Sequence, residues 1–167
     1  MNQVPDIIGP NLKILFIGFN PGGRSAETGH HFAGYSNRFW KLLAVAALTP
    51  HQFKPEEDGQ LLALGLGITN IVDRPSRTAA EITKAEYQEG RIVLQEKLQR
   101  YTPKVACFAG VGVYREFTRQ ARVTCGWQAI SVVTGVADFV VPSPSGLTRI
   151  VFAEQLAYYQ ELKGYVT

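Results

Sequence analysis

The sequence LKILFIGFNPGG, residues 12–23, joins an almost unbroken apolar run to a turn that contains one proline and three glycines. A strand that is apolar on both faces is typical of a parallel sheet, in which helices cover the two sides. We therefore expect residues 12–19 to form a buried strand. The turn that follows this strand is the first candidate for a functional site.

Further strands are expected at residues 67–72, 104–109, 127–133 and 139–141, and the segment 127–133 is suited to a sheet edge. Helices are expected between Ser36 and Pro50 and at residues 55–64, 83–100, 110–119 and 150–163. Ser36 is predicted to cap the first of these helices, and Thr83 and Glu86 form a T-x-x-E capping box for the third. Strands that alternate with helices of this length predict a three-layer α/β/α sandwich with a mainly parallel central sheet, formed as one domain by residues 1–167.

The composition narrows the class of protein. The chain has 167 residues, of which 46% are hydrophobic and 19% charged, and this balance indicates a folded globular protein. A net charge of +3 permits contact with nucleic acid without requiring it. Because no apolar run is long enough for a membrane span and the N-terminus lacks the pattern of a signal peptide, we expect a cytoplasmic protein, associated with the nucleoid in a prokaryote.

Metal and cluster chemistry finds little support in the sequence. The chain has two cysteines, Cys107 and Cys125, whereas an iron–sulfur cluster needs about four thiolates. The three histidines lack the spacing of metal ligands. We therefore expect neither a metal nor a cofactor.

Three polar loops follow predicted strands, with the sequences GFNPGG (18–23), VDRPS (72–76) and VPSPSGLTR (141–149). Ligands of open α/β sheets bind at the carboxyl ends of the strands, so these loops are expected to meet at one rim. GFNPGGRS differs from a phosphate-binding loop only by Arg24 in place of lysine, and Asp73 stands where a magnesium ligand would. Against this interpretation, Pro21 removes a backbone donor and arginine differs from lysine in reach and shape. A nucleotide hydrolase remains an alternative.

The same loops also fit the binding of an extruded nucleobase. Phe32 lies in a glycine-rich turn and offers a flat ring for stacking, with bare backbone nearby to read the polar edge of a base. Leu147, between Gly146 and Arg149 on a loop stiffened by two prolines, is suited to fill the gap that the base leaves. The competing interpretations are that Phe32 fills the core and that Leu147 packs inward.

Several separated motifs together resemble the mismatch-specific uracil-DNA glycosylases, which belong with the thymine-DNA glycosylases in the uracil-DNA glycosylase superfamily. The motifs are GFNPG (18–22), TG (28–29), FA (32–33), NRFWK (37–41), VDRP (72–75) and PSGLTR (144–149). The resemblance covers most of the chain. It implies a uracil-DNA glycosylase-like fold and a monofunctional base-excision repair enzyme without a cofactor. Such an enzyme hydrolyses the N-glycosidic bond of uracil mispaired with guanine in double-stranded DNA, after base flipping, and leaves an abasic site.

By position, the resemblance implies that Asn20 holds the attacking water and that Phe32 stacks on the extruded base. The predicted base pocket comprises Gly18, Phe19, Gly22, Ser25, Phe32 and Ser143. The predicted DNA contacts are Ser145, Gly146, Leu147 and Arg149, the last three filling the vacated stack and contacting the widowed guanine. Ser143 departs from the expected pattern, which has asparagine before the proline of this loop.

The expected mechanism follows from the neutral amide of Asn20, which orients water but does not accept its proton. The glycosidic bond must then largely break before water attacks, through an oxocarbenium-like sugar. Asp73 is a second catalytic candidate, as acceptor of the proton or stabiliser of the cation; the competing interpretation is an ion pair with Arg74 or Arg77. In the related uracil-only enzymes a tyrosine at the place of Gly22 looks like a barrier to a 5-methyl group, so the resemblance implies weak action of this protein on thymine and some modified pyrimidines.

The expected partner is double-stranded DNA with a G·U or related mismatch, bound by a monomer without any membrane contact. Besides the nucleotide hydrolase, a non-catalytic module that binds damaged DNA remains an alternative. The release of free uracil distinguishes the glycosylase from such a module.

Overall fold

The computed structural model describes residues 2–167 and has a five-stranded central sheet. The strands are β1 (Ile14–Gly18), β2 (Leu66–Asn70), β3 (Val105–Ala109), β4 (Gly126–Trp127) and β5 (Ala137–Val141). Their order across the sheet is β2-β1-β3-β5-β4. The first four strands in this order are parallel, and β4 pairs antiparallel with β5 at the edge. The mainly parallel sheet predicted from the sequence is thus confirmed.

Helices cover both faces of this sheet. They are α1 (Gly23–Thr28), α2 (Phe39–Val45), α3 (Lys84–Tyr101), α4 (Val111–Thr118) and α5 (Phe152–Val166), with 3-10 segments at Pro55–Leu64 and Ala79–Glu81. Helices α2 and α5 pack on one face of the sheet, and α3 and α4 pack on the other. The three-layer α/β/α arrangement is therefore confirmed as well.

The apolar run of β1 explains the two cores, because all five residues of this strand are buried. Its alternate side chains point to opposite faces. Phe16 enters the core with α2 and α5, whereas Leu15 and Ile17 enter the core with α3 and α4. The outer edge of β2 is partly covered by the N-terminal segment, where Ile7 makes an antiparallel bridge to Ile68.

The capping box of α3 is confirmed, since the Thr83 hydroxyl accepts from the Glu86 amide and the Glu86 carboxylate accepts from the Thr83 amide. The predicted cap at Ser36 is wrong. Helix α2 begins at Phe39, and the side chain of Asn37, rather than Ser36, accepts from the Phe39 amide. The short helix α1 was not predicted from the sequence.

The strand predicted at residues 127–133 is largely wrong, because β4 ends at Trp127. One more ladder bond joins Gln128 to the carbonyl of Asp138, and the chain then leaves the sheet. The buried carboxylate of Asp138 accepts from the Val132 amide instead, at 3.3 Å, and from the Tyr114 hydroxyl at 2.9 Å. The side chain of Asp138 thus takes the place of a strand partner for the Val132 amide, which the sequence pattern had assigned to a strand.

Among residues 2–167, no helix is both long and apolar enough to cross a bilayer.

Candidate active site

A cavity of about 400 Å³ opens at the carboxyl ends of the parallel strands. Gly18, Asn70 and Ala109, the last residues of β1, β2 and β3, lie in its wall, and Ser143 follows β5. Ten residues predicted for the site line it together: Gly18, Phe19, Asn20, Gly22, Ser25, Phe32, Ser143, Ser145, Gly146 and Leu147. Asp73 and Arg149 are not among the lining residues.

The side chain of Asn20 is held in one orientation by two hydrogen bonds. Its Nδ2 donates to the carbonyl of Arg74 at 2.7 Å and to the hydroxyl of Ser76 at 2.8 Å. Because a carbonyl only accepts hydrogen bonds, the amide cannot be flipped, and both of its hydrogens are used. Its Oδ1 has no hydrogen-bond partner within the described chain and is left to accept one from a ligand or water.

Two further contacts support this orientation. The Ser76 hydroxyl donates its own hydrogen to the carbonyl of Thr78 at 2.7 Å, so its oxygen faces Asn20 as an acceptor. Backbone hydrogen bonds also join the chain beyond β1 to the chain beyond β2, because the Ile71, Val72 and Ser76 amides donate to the carbonyls of residues 18, 19 and 21. The loop after β1 is therefore tied along its length to the loop after β2.

Phe32 lies in the wall of the cavity with its ring already stacked on an aromatic cluster. The centroids of Phe32 and Phe39 are 4.0 Å apart with the rings 21° from parallel, and Phe39 in turn meets Phe16 edge-on at 5.1 Å. The φ of Phe32 is +50°, a left-handed conformation that bulky residues seldom adopt. Strain of this kind is tolerated where the surroundings fix a functional geometry.

Gly18 brings the main chain close to the same ring. A Cβ at this position would lie 2.8 Å from Oδ1 of Asn70 and 3.8 Å from the ring of Phe32, so a side chain cannot be accommodated without a shift. Asn70 is buried, and its side-chain amide group makes no hydrogen bond within the described chain. Sequence reasoning missed Asn70 because the predicted strand ran on to residue 72, whereas β2 ends at Asn70.

The other predicted pocket residues contribute in different ways. Ser25 is buried, and its hydroxyl accepts from the Ala33 amide, which fixes the backbone next to Phe32. The ring of Phe19 packs against Gly112 and meets Tyr87 edge-on, so it belongs to the core beneath the cavity. The hydroxyl of Ser143 accepts from the Ser145 amide and thereby shapes its own loop.

Leu147 projects from the rim of the cavity with 92% of its surface exposed. The interpretation that Leu147 packs inward is therefore wrong. Its amide donates to the Ser145 hydroxyl at 3.2 Å, and the Thr148 amide donates to the Ser145 carbonyl. Gly146 approaches Ser36 so closely that a Cβ would collide with it. The loop is thus built to hold an apolar side chain in solvent.

Arg38 holds the loop of residues 144–150 in place through three hydrogen bonds. Its amide donates to the carbonyl of Pro144 at 2.8 Å, and its Nη1 donates to the carbonyl of Ile150 at 3.0 Å and to Oε1 of Gln155 at 2.8 Å. Gln155 is fully buried and donates to the carbonyl of Ser143 at 2.9 Å. One arginine of the NRFWK motif therefore anchors both ends of the loop, a role that the sequence did not indicate.

Asp73 lies apart from Asn20. It lines a separate cavity of about 220 Å³ with residues of α3 and is exposed to solvent. Neither predicted ion pair forms, because Arg74 instead binds Glu86 at 2.7 Å and Arg77 lines the main cavity. The hydrogen bond from Arg74, together with that from the Thr83 amide, lowers the pKa of Glu86 to about 2. Arg149 is exposed beyond Leu147.

His31 forms part of the cavity wall and is buried. Its Nε2 lies 2.7 Å from the carbonyl of Pro5 and must carry a hydrogen to bond there, and its amide donates to Asp58. Burial lowers the pKa of His31 below its usual value, more than the carbonyl of Pro5 and nearby carboxylates raise it. We therefore assign a neutral ring to this wall at neutral pH.

Among the residues described, no cluster of three or more histidine, cysteine, aspartate or glutamate side chains is arranged to hold a metal ion.

Comparison with known proteins agrees with this architecture. The model of the uracil DNA glycosylase superfamily matches residues 5–164 of the chain. The fold is similar to the solution NMR structure of a candidate uracil DNA glycosylase from Methanosarcina acetivorans, with a TM-score of 0.61 and 19% sequence identity. The match covers 97% of this chain and 98% of that chain. At this identity the structural likeness concerns the fold alone.

Proposed function

The chain belongs to the uracil DNA glycosylase superfamily, and from this premise we propose that it removes uracil mispaired with guanine from double-stranded DNA. In this proposal it hydrolyses the N-glycosidic bond of the extruded nucleotide and leaves an abasic site, as a mismatch-specific enzyme of base-excision repair. We further propose that it acts as a monomer.

The observation that carries the proposal is the fixed amide of Asn20 in the same cavity as the pre-stacked ring of Phe32. In the proposed complex the extruded uracil lies on the free face of the Phe32 ring. Oδ1 of Asn20 then accepts a hydrogen bond from the attacking water and aims its oxygen at the sugar carbon. Positioning of this kind removes the entropic cost of bringing water to the reaction centre.

The residues in the cavity favour bond breakage before attack. No aspartate or glutamate is among the described residues that line it, so no carboxylate is at hand to take the proton of the water. The glycosidic electrons pass to the leaving uracil, the sugar becomes an oxocarbenium ion, and water adds to that cation. Its proton is lost to solvent after the new C–O bond has formed. This assignment leaves Asp73 without a direct role.

Substrate choice follows from how easily a base opens and leaves. Uracil opposite guanine opens more easily than uracil opposite adenine, which favours the mismatch as substrate. At Gly22 no atom lies within 4 Å of where a Cβ would be, so the wall beside the base is open. We propose weak action on thymine and other 5-substituted uracils opposite guanine for this reason.

The exposed loop completes the proposal on the DNA side. Leu147 enters the duplex where the uracil was, and the backbone at Gly146 together with Arg149 contacts the unpaired guanine. Filling the gap with an apolar side chain recovers part of the stacking free energy that extrusion costs. Arg38 acts as a positioning residue, because it holds the loop on which these groups lie.

The proposal is tested by single-turnover assays with labelled duplexes that carry G·U, A·U or G·T, and with single-stranded uracil, in the presence of EDTA. Alkali cleaves the abasic product and reports base release. We expect release from G·U to be fastest and to survive EDTA. Nucleotide hydrolysis that requires magnesium, without release of uracil, would instead indicate the phosphate-loop hydrolase. Tight binding of the mismatch without release of uracil would indicate a non-catalytic binding module.

A further inference from the structure

Two exposed apolar side chains lie on neighbouring loops beside the cavity: Leu147 lines it, whereas Tyr35 lines an adjoining cavity of about 220 Å³. Leu147 and Tyr35, at 92% and 89%, are the most exposed large hydrophobic residues of the described chain. Their loops touch, because the Arg38 amide donates to the Pro144 carbonyl and Gly146 packs against Ser36. Leu147 has a place in the proposed function, whereas Tyr35 does not.

Tyr35 is not free of contacts, because Arg24 covers one face of its ring. The guanidinium carbon of Arg24 lies 4.6 Å from the ring centroid, within the range of a cation–π interaction. Arg24 also lines the cavity that holds Asn20. Its only carboxylate partner among the described residues is the exposed Glu27 at 3.8 Å, a surface pair of a kind that contributes little.

Tyr35 holds the guanidinium of Arg24 in place, and the distant, exposed carboxylate of Glu27 leaves most of its charge available to a ligand. The guanidinium of Arg24 lies over the Tyr35 ring, and its N–H groups are arranged around the edge of its own plane. A planar guanidinium matches two oxygens of a phosphate, which it binds through paired charge-assisted hydrogen bonds. DNA that presents a base to this cavity must bring the phosphates next to that nucleotide to the cavity rim.

We propose that Arg24 and Tyr35 form a phosphate-binding pair at the mouth of the cavity. Arg24 contacts the backbone phosphate beside the extruded nucleotide, and Tyr35 is a positioning residue that acts by holding Arg24. The inference rests on the proposed function, since it requires DNA at this rim. It also gives a role to Arg24, which the sequence pattern had suggested as part of a phosphate loop.

The chain contains a matched control for this pair. Arg100 lies 5.1 Å over the ring of Tyr101, so the same two residue types interact in a similar way. This second pair lies at the carboxyl end of α3, shortly before β3 begins, and therefore at the opposite end of the sheet from the cavity. A non-specific effect of removing one positive charge should be the same for both arginines.

The experiment measures the dissociation constant for a duplex with a tetrahydrofuran abasic analogue opposite guanine, at several salt concentrations. Each phosphate contact contributes about 0.9 to the slope of log affinity against log salt. We expect Arg24→Gln to lower the magnitude of this slope by about that amount and to weaken binding about tenfold at low salt. Arg100→Gln should change neither, and melting temperatures should show that both variants fold.

Tyr35 is tested through its dependence on Arg24. Tyr35→Ala should weaken binding about threefold, roughly the size of an exposed cation–π contact, and Tyr35→Phe should restore it because the ring is kept. In the Arg24→Gln background, Tyr35→Ala should have no further effect. An additive loss would overturn the positioning role of Tyr35.

An unchanged salt slope in Arg24→Gln, or an equal change in Arg100→Gln, would overturn the phosphate contact. Failure of the proposed function is distinguishable from this outcome, since the abasic analogue requires no catalysis. If the wild-type protein binds this duplex with the expected slope but releases no uracil, only the proposed function is overturned. If it does not bind the duplex, both are overturned.

Discussion

Replacement of Asn20 by alanine tests the central assignment of the site. The change removes an amide that donates to the Arg74 carbonyl and the Ser76 hydroxyl and that leaves Oδ1 unpartnered. Asn20 is only half-buried, so the fold should tolerate the loss. Binding to duplex DNA should be nearly unchanged, because the proposed role of the amide is to orient water.

The expected size of the effect follows from comparable oriented groups. Removal of one fixed hydrogen-bonding group that acts in the transition state costs about 2.7–4 kcal/mol, or about 10²–10³ in rate. We expect Asn20→Ala to slow uracil release by at least about a hundredfold. A loss confined to affinity would mean that the amide binds the ground state instead.

Ser76→Ala provides a graded version of the same test. It removes one of the two acceptors that hold the amide and leaves the carbonyl of Arg74 in place. One hydrogen bond is worth about 1 kcal/mol, which corresponds to about fivefold in rate. If Ser76 acts through Asn20, Ser76→Ala should have no further effect on the rate in the Asn20→Ala background.

These variants are measured by single-turnover release of uracil from a G·U duplex, with melting temperature and duplex affinity as controls. Asp73→Asn is the matched comparison, because Asp73 lies outside the cavity. If Asp73→Asn abolishes release while Asn20→Ala barely changes it, our roles for these residues are wrong.

Three further predictions follow from the cavity and its rim. Leu147→Ala should slow uracil release from a G·U duplex by roughly 1–3 kcal/mol of transition-state free energy, and release from single strands should change little. Ile130→Ala, a comparable change at another exposed site near the sheet edge, should have little effect on release. A uniform slowdown on all substrates with a lower melting temperature would contradict the role of Leu147 in filling the gap. Gly22→Tyr, at a position where an added Cβ would contact no other residue within 4 Å, should suppress release of 5-substituted uracils more than release of uracil, and equal loss of both would argue against a steric gate. Burial lowers the pKa of His31, so between pH 6.5 and the lower folded pKa the unfolded chain binds more protons than the folded one; the stability that His31 contributes is present above pH 6.5 and lost as the pH falls through its folded pKa. Denaturant unfolding between about pH 5 and 8 should show this loss, and His31→Gln should reduce it; an unchanged pH dependence would exclude His31 as its source.

Most of the fold could be predicted from local patterns. The apolar runs that became β1, β2, β3 and β5 are buried throughout or nearly so, and burial on both faces is what their composition indicated. The capping box at Thr83 is a contact between residues three positions apart, so the sequence alone shows it. The strand error arose at Asp138, whose carboxylate accepts from the Tyr114 hydroxyl 24 positions away and also binds the Val132 amide, which therefore does not join a strand.

The sequence by itself determined the layers, the parallel direction of the main strands and the meeting of three polar loops at one rim, because these depend on apolar runs and on the direction of parallel strands. Only the tertiary structure decided which side chains enter the cavity. The partners that orient Asn20 lie 54 and 56 residues away, and Arg38 reaches a carbonyl 112 residues away. Asn20 and Asp73 both follow the ends of neighbouring strands, yet they face different cavities, because each loop turns according to the backbone and side chains that it meets from distant parts of the chain.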